Sequence, residues 1–310
     1  MSKKINRRQF IQKSAAISLS SVLGGTLASN IKFKDQNIDI VVVKGRDYFK
    51  SAKKAMETLG GMKKFVPKNS KVALLPNPQS HHPGTFTKPE IVRASIQMCK
   101  EAGAKEIACI GWLPRRHWEN TGIKKVIDEE GTQLVITNSH DETLFKPVPV
   151  PKGEVLKEAH IMRTFYNYDV LINMNIIKEH SGSNLSGALK NLMGINSPVS
   201  NRNFHKMIGT TNKDDIRHLD HCIADLNIII QPDLCIIDAT EFIITNGPNG
   251  PGELLKPQKV IAGTDPVAID SYGANLIGYN QKDILVITKS YEHGIGEMDL
   301  EKVNIKELVI

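Results

Sequence analysis

The sequence predicts an α/β fold in which helices cover both faces of a mostly parallel sheet, with room for a smaller lobe or flap. Two observations carry this prediction. Apolar runs of strand length alternate with stretches whose apolar residues recur at helical spacing, which is the rhythm of parallel βαβ units. With 310 residues, the chain is also long enough to enclose one large core.

The first half of the chain contains a regular series of strand and helix patterns. Pro89 opens one predicted helix and Gly103 follows its end, while the pair Gly60-Gly61 ends an earlier helix. Short apolar runs between these helices indicate strands. The expected strands are 38–43, 71–75, 106–110 and 133–137, and the expected helices are 48–59, 89–102 and 123–130.

The second half continues the same alternation with two interruptions. A Pro-rich, charged segment at 146–160 predicts a short hairpin or an edge excursion, and the polar segment 196–212 predicts a flap. The expected strands are 169–174, 234–238 and 260–262, and the expected helices are 185–193, 216–230, 266–277 and 283–293. No repeat or linker divides the chain, so we expect a single α/β domain over 38–310.

The first 29 residues have the pattern of a twin-arginine signal peptide. Arg7 and Arg8 are adjacent, Phe10 follows, and Ser and Gly dilute the apolar run from Ala15 to Leu27. This run is too short to anchor the chain in a bilayer. We therefore expect passage through the twin-arginine translocation machinery into the periplasm. The alternative is a basic amphipathic helix with a chance arginine pair.

Charge and aromatic content argue against nucleic acid as a partner. The formal charge of +7 includes five basic residues and no acid in the first 29 residues, so the rest of the chain carries +2. Only 5% of the residues are aromatic, and no basic run alternates with aromatic residues as base stacking requires. The sequence also predicts no stable membrane span.

The four cysteines do not form a recognisable cofactor motif. Cys99, Cys109, Cys222 and Cys235 contain no C-x-x-C pair, so no iron–sulfur cysteine motif is present. Cys99 lies in a predicted helix and Cys109 in a predicted strand, where each is expected to be a small buried thiol.

The strongest candidate site follows the strand predicted at 169–174. Lys178 and His180 precede a Gly/Ser-rich loop, and Lys190 and Asn191 lie in the helix that follows. Such a loop offers free backbone N–H groups at a helix N-terminus, which suits a carboxylate, phosphate or sulfonate. A lysine within an apolar helix needs a partner or a function. The alternative is ordinary helix capping with solvated lysines.

Two more stretches place polar residues at strand ends, where α/β sheets bind ligands. Asn77 follows the strand predicted at 71–75, and Asn246 and Gly247 begin a glycine-rich loop that can close over a ligand. Either stretch can also be an ordinary surface turn. Asp270 lies one turn into an apolar helix, so we consider it a candidate catalytic residue.

One helix carries a weak candidate metal site. His218, His221 and Asp225 share a face of the helix predicted at 216–230, together with Cys222. Short spacings of this kind arise often by chance, and the same face can serve capping and salt bridges. A metal is therefore an open alternative, and no cofactor is identified.

These stretches together resemble the bacterial and archaeal family called domain of unknown function 362. The similarity runs from about Lys71 to His293 and lacks only the usual lysine, which is Leu75 here, and a Thr-Gly pair in the loop. The strand end and glycine-rich helix entry are also distantly similar to the lactate racemase family. The matching motifs are Leu75-Pro76-Asn77, Lys88-Pro89-Glu90, Lys178-Glu179-His180, Ala188-Leu189-Lys190-Asn191, Ala224-Asp225-Leu226, Asp238-Ala239, Asn246-Gly247-Pro248 and Gly263 to Asp270.

The resemblance implies a recurrent polar site but no established reaction. We therefore expect an exported protein with an anion-binding cleft, either an enzyme or a redox or metal-dependent subunit that acts on an anionic small molecule. In this hypothesis His180 moves a proton, because imidazole titrates near neutral pH, and Asp225 or Asp270 orients a partner or binds metal. The alternative is a periplasmic ligand-binding or accessory protein without catalysis.

Overall fold

A central eight-stranded sheet organises the protein, and the order of its strands is β14-β1-β13-β10-β7-β2-β3-β4. All neighbouring strands pair in parallel except β13, which is antiparallel to both β1 and β10. The strands of this sheet are β1 Ile40–Lys44, β2 Lys71–Pro76, β3 Glu106–Gly111, β4 Gln133–Ile136, β7 Val170–Met174, β10 Leu234–Ala239, β13 Lys259–Gly263 and β14 Ile305–Val309. The structure is a computed structural model, and it describes residues 38–205 and 213–310.

Three antiparallel pairs of short strands lie outside the central sheet. They are β5 Phe145–Pro149 with β6 Glu158–Met162, β8 Lys178–His180 with β9 Asn184–Ser186, and β11 Phe242–Ile243 with β12 Leu254–Leu255. The first pair confirms the hairpin predicted at 146–160. The second pair follows β7 and carries residues of the candidate site.

Nine helices are found in the described part of the chain. They are α1 Tyr48–Thr58, α2 Pro89–Ala102, α3 Arg115–Asn120, α4 Ile123–Glu129, α5 Ala188–Asn191, α6 Pro198–Phe204, α7 Lys213–Ile229, α8 Pro266–Ile277 and α9 Leu285–Glu292. The helix predicted at 185–193 is shorter than expected, because its first residues form β9 and its end tightens into a 3₁₀ turn at Leu192–Gly194.

Two apolar cores lie on opposite faces of the sheet. Successive side chains of a strand point to opposite faces, so Ile40 and Val42 join one core while Val41 and Val43 join the other. Helices α1, α2 and α4 cover the second core, and α5, α7, α8 and α9 cover the first. The predicted fold class, a mostly parallel sheet with helices on both faces, is confirmed.

Some predictions fall outside the described residues or need correction. The twin-arginine segment lies wholly outside them, as do residues 206–212 of the predicted flap, whose earlier part contains α6. Helix α3 and strand β14 were not expected. Strand β14 lies at an edge of the sheet, so its residues are mostly exposed and its apolar pattern is weak.

The described residues contain no helix with the length and apolarity needed to cross a membrane. The four cysteines lie in α2, β3, α7 and β10 and are all buried, and no disulfide joins them within the described chain. The predicted helix position of Cys99 and strand position of Cys109 are confirmed.

Asp225 joins helix α7 to the connection between β5 and β6. Its side chain is fully buried and accepts hydrogen bonds from the backbone N–H groups of Glu154, Val155 and Leu156 at 2.8 to 3.0 Å. His293, just after α9, lies 2.9 Å from the same carboxylate through Nε2. Asp225 therefore links three separate segments.

Asp270 performs a similar task for the short helix α5. Its two carboxylate oxygens accept hydrogen bonds from the backbone N–H groups of Ala188, at 2.6 Å, and Leu189, at 3.0 Å. A side chain at Gly187 would place its Cβ 2.2 Å from Asp270 Oδ1, so a glycine is needed for this approach. The carboxylate of α8 thus caps α5 from outside.

We expect Asp225→Asn to lower the free energy of unfolding by roughly 3–5 kcal/mol, because an amide cannot accept hydrogen bonds from all these donors and leaves buried groups unsatisfied. Urea unfolding measures the change. Asp128→Asn, in an exposed pair with Lys124 on α4, is the matched control and should change stability by less than about 1 kcal/mol. Equal effects of the two substitutions would show that the Asp225 contacts contribute little.

Candidate functional site

The hairpin of β8 and β9 brings Lys178 and His180 to the same side. Alternate residues of a strand face the same way, and both side chains are buried, at 0% and 6% exposure. Glu179 faces the other way and accepts a hydrogen bond from the backbone N–H of Gly247. The predicted pair of Lys178 and His180 therefore lies together on the inner side of the hairpin.

The ammonium group of Lys178 is buried without a charged partner. Its Nζ donates one hydrogen bond, to the backbone carbonyl of Thr85 at 2.7 Å, and no carboxylate of the described chain forms an ion pair with it. Burial, together with the nearby charge of Lys190, lowers the pKa of Lys178 to about 7. An ammonium group has three donors, so most of its hydrogen-bonding capacity is unused.

Lys190 lies in α5 and is mostly buried. Its Nζ donates to the sulfur of Met193 at 3.5 Å, and no carboxylate of the described residues forms an ion pair with it. Burial lowers the pKa of Lys190 to about 8, while the carboxylate of Asp220 acts in the opposite direction. The charge of Lys190 also acts on Lys178, so the structure brings the two predicted lysines close together.

Two histidines lie beside these lysines, with ring centroids 6.5 Å apart. His180 Nδ1 accepts a hydrogen bond from the backbone N–H of Gly182 at 2.9 Å. His205 Nδ1 lies 2.7 Å from the backbone carbonyl of Asn201, to which it can only donate. Burial lowers the pKa of both rings, and the charge of Lys190 adds to this effect, so both are neutral at pH 7.

Asp220 of helix α7 completes the group. It is 4% exposed, and its buried Oδ1 accepts no hydrogen bond from the described residues. Burial raises the pKa of Asp220 to about 7, and the opposing effect of Lys190 shows that the two side chains are neighbours. We call Lys178, His180, Lys190, His205 and Asp220 the lysine cluster.

Sequence reasoning missed two members of the lysine cluster. Asp220 lies between His218 and His221 in sequence, but on a different face of the helix from the predicted metal ligands. His205 lies in the segment predicted to be a flap. For Asp220, the sequence feature that could have indicated the site is a carboxylate beside Leu219 and Ile223, two apolar residues at helical spacing.

The predicted ligand-binding residues Asn77 and Asn191 lie in a network of asparagines. The Asn77 amide donates to the Oδ1 atoms of Asn175 and Asn191, at 3.1 and 3.3 Å. The Asn191 amide donates to the Asn173 side chain and to the carbonyl of Leu75. The network fixes α5, and hence Lys190, against the ends of β2 and β7.

The loop that begins with Asn246 and Gly247 packs against the outer side of β8. A side chain at Gly247 would place its Cβ 1.9 Å from the carbonyl oxygen of Glu179, so only glycine fits there. The Asn246 amide donates to the carbonyl of Pro251 at 3.1 Å within the loop. The loop therefore supports the hairpin that carries Lys178 and His180.

The structure corrects the expectation that α5 offers free backbone donors to an anion. The N–H groups of Ala188 and Leu189 already donate to Asp270. The anion at this helix terminus is thus a side chain of the protein itself. Burial raises the pKa of Asp270 to about 7, and these two hydrogen bonds act against that shift.

The weak metal candidates do not converge. His221 pairs with Glu154 at 3.1 Å, the Asp225 carboxylate serves the contacts described above, and His218 Nε2 lies 3.5 Å from the sulfur of Cys222. Within residues 38–205 and 213–310, no group of three or more His, Cys, Asp or Glu side chains is arranged to hold a metal ion.

Comparison with known proteins finds a relative of similar sequence and several solved structures with a similar fold, among them the following two. A thylakoid-associated protein of Synechocystis is 25% identical over 234 residues, which cover 71% of this chain and 67% of that protein. The apoprotein of lactate racemase from Thermoanaerobacterium thermosaccharolyticum is 15% identical with a TM-score of 0.47, over 79% of this chain and 58% of that one. A Thermotoga maritima protein is 16% identical with a TM-score of 0.41, over 61% of this chain and 50% of that one.

The chain thus spans little more than half the length of the two solved structures. A family model, in contrast, matches residues 72–275. This range begins in β2, ends in α8 and includes every member of the lysine cluster. Because the match extends over well more than half of the chain, the protein belongs to the family described as Domain of unknown function (DUF362).

Proposed function

We propose that the lysine cluster binds the anionic group of a small molecule. The observation that carries the proposal is the burial of two neighbouring ammonium groups, Lys178 and Lys190, without an ion-pair partner among the described residues. Buried charges in proteins are normally paired or hydrogen-bonded. A carboxylate, phosphate or sulfonate group supplies both the missing charge and the missing acceptors.

The electrostatics of the cluster favour such a guest. Each lysine has a lowered pKa because burial disfavours its charge. The charge of Lys190 adds to the lowering for Lys178, whereas the carboxylate of Asp220 partly offsets it for Lys190. An anion placed between the two raises both pKa values again and thereby draws protons onto the lysines. Binding is therefore strongest where the anion is ionised and the lysines can still be protonated.

In this proposal, His180 transfers a proton in a reaction of the bound anion. Its ring is neutral near pH 7 and its Nδ1 is held by the N–H of Gly182. The remaining Nε2 is then the atom that can exchange a proton with a guest. The fixed ring orientation and the adjacent lysines support this assignment.

We further propose that the protein is exported by the twin-arginine route, on the strength of Arg7, Arg8 and Phe10 and the absence of acids from the first 29 residues. Replacing both arginines by lysine should move the protein from the periplasmic to the cytoplasmic fraction of a bacterium with this pathway. Lys13→Gln is the control and should leave export intact. Unchanged export of the double lysine variant would refute the proposal.

We expect Lys190→Met to weaken anion binding by at least about 100-fold, because it removes one of two charges that hold the guest, while the melting temperature stays equal or rises. Isothermal titration with phosphate, sulfate, acetate and glycolate measures binding. Lys68→Met replaces an exposed lysine and is the control. Intact binding with a large loss of stability would assign Lys190 a structural role instead.

We expect Lys178→Met to be more stable than the wild type, because it removes a buried charge, and we expect this advantage in the free energy of unfolding to depend on pH. Below the folded-state pKa of about 7, Lys178 is charged in both states, so the wild type bears the full cost of burying the charge. Between about 7 and the ordinary value of 10.5, the folded state is deprotonated and the unfolded state is not, so wild-type stability rises with pH and the advantage shrinks. The change is at most about 1.4 kcal/mol per pH unit.

Urea unfolding at a series of pH values, in buffers without phosphate or sulfate, measures this advantage. Lys68→Met is again the control and should show no such trend. A difference between Lys178→Met and the wild type that is independent of pH would show that the Lys178 ammonium is already solvated or neutralised in the folded protein.

A further inference from the structure

The lysine cluster contains hydrogen-bond acceptors as well as donors. Asp220 Oδ1 is buried and receives no hydrogen bond from the described residues. The Asp220 side chain is only 4% exposed, so water does not readily replace the missing donor. Because the charges of Asp220 and Lys190 act on each other, the two side chains are neighbours, and an anion held by Lys190 would be near this unsatisfied acceptor.

His205 contributes a second acceptor. A neutral imidazole carries one proton, and His205 Nδ1 uses it to donate to the carbonyl of Asn201 at 2.7 Å. His205 Nε2 therefore presents a lone pair. His180 has the opposite arrangement, because its Nδ1 accepts from Gly182 and its Nε2 carries the proton.

The two rings thus offer one donor and one acceptor. Their centroids are 6.5 Å apart, and no hydrogen bond joins His180 to His205. At this separation, a small ligand group between the two rings can hydrogen-bond to both of them. The charge of Lys190 lowers the pKa of both rings, so both lie near Lys190. A group that bridges the two rings would therefore belong to the same ligand as the anion.

We propose that the lysine cluster selects anions that also carry an O–H group, such as hydrogen phosphate or a hydroxy acid. This inference rests on the proposed function, since it describes which anion the lysines hold. The ionised oxygens of the guest accept from Lys178, Lys190 and His180 Nε2. Its hydroxyl donates to Asp220 Oδ1 or His205 Nε2.

An anion whose oxygens are all acceptors meets a penalty at this site. Its lone pairs would face the carboxylate of Asp220 and the lone pair of His205, which leaves the buried Asp220 acceptor unsatisfied and adds repulsion. An unsatisfied buried group costs about 1–3 kcal/mol, which corresponds to about 5- to 150-fold in affinity. Selectivity therefore arises from the acceptors as well as from the lysines.

Hydrogen phosphate and sulfate form the sharpest test, because they share charge and shape and differ in one O–H group. Isothermal titration of the full chain with potassium phosphate and potassium sulfate, at slightly alkaline pH, gives the ratio of their affinities. Glycolate and acetate form a second pair, which tells a hydroxy-acid site from a phosphate site. Asp220→Asn is the variant, and Asp128→Asn on the exposed side of α4 is the matched control.

We expect the wild type and the control to bind hydrogen phosphate about 10- to 100-fold more tightly than sulfate, or glycolate more tightly than acetate by a similar factor. Asp220→Asn should reduce this preference towards unity, because an amide can also donate to sulfate. Equal wild-type affinities for both members of each pair would overturn the selectivity but leave the anion site intact. Binding of none of the four anions would overturn the proposed function itself. The ratios of wild-type affinities within each pair of anions test the selectivity without a variant, so the test remains valid if Asp220→Asn does not fold.

Discussion

The arrangement of the site depends on one electrostatic constraint, the burial of two like charges close together. Lys178 is fully buried and Lys190 is partly buried, and neither ammonium group has an ion-pair partner among the described residues. Desolvation opposes protonation of both lysines, and the charge of Lys190 further opposes protonation of Lys178. A folded protein holds such a pair in place only if other contacts fix its position. The same repulsion makes an anion a favourable guest.

The contacts that fix the pair come from distant parts of the chain. Asp270 of α8 caps the helix that carries Lys190, and the amide network of Asn77 and Asn191 ties this helix to the strand ends. The carbonyl of Thr85 holds the ammonium of Lys178. These groups meet near the carboxyl ends of the parallel strands β2 and β7, which is where ligands generally bind in α/β sheets. The fold therefore keeps the lysines together although their charges repel.

The sequence predicts much of this and misses the parts that depend on long-range contacts. Strand and helix periodicity predicts the sheet and most of its helices, because local apolar spacing determines which side of an element faces the core. It also indicates Lys178, His180 and Lys190, since polar residues beside apolar runs are conspicuous. The site partners Asp220 and His205 depend on how α7 and α6 pack, which no local pattern records. The capping of α5 by Asp270 likewise joins residues 82 positions apart, and it replaces the free backbone donors that the loop sequence suggested.

The most direct test of this account is the titration of the two lysines themselves. NMR of protein with isotopically labelled lysine, in buffer without oxyanions, follows each Nζ group as the pH changes, and Lys178→Met and Lys190→Met assign the signals. We expect midpoints of about 7 for Lys178 and about 8 for Lys190, and an upward shift of both midpoints when a binding anion is added. Midpoints near the ordinary value of 10.5 for both groups, unchanged by anions, would contradict the account.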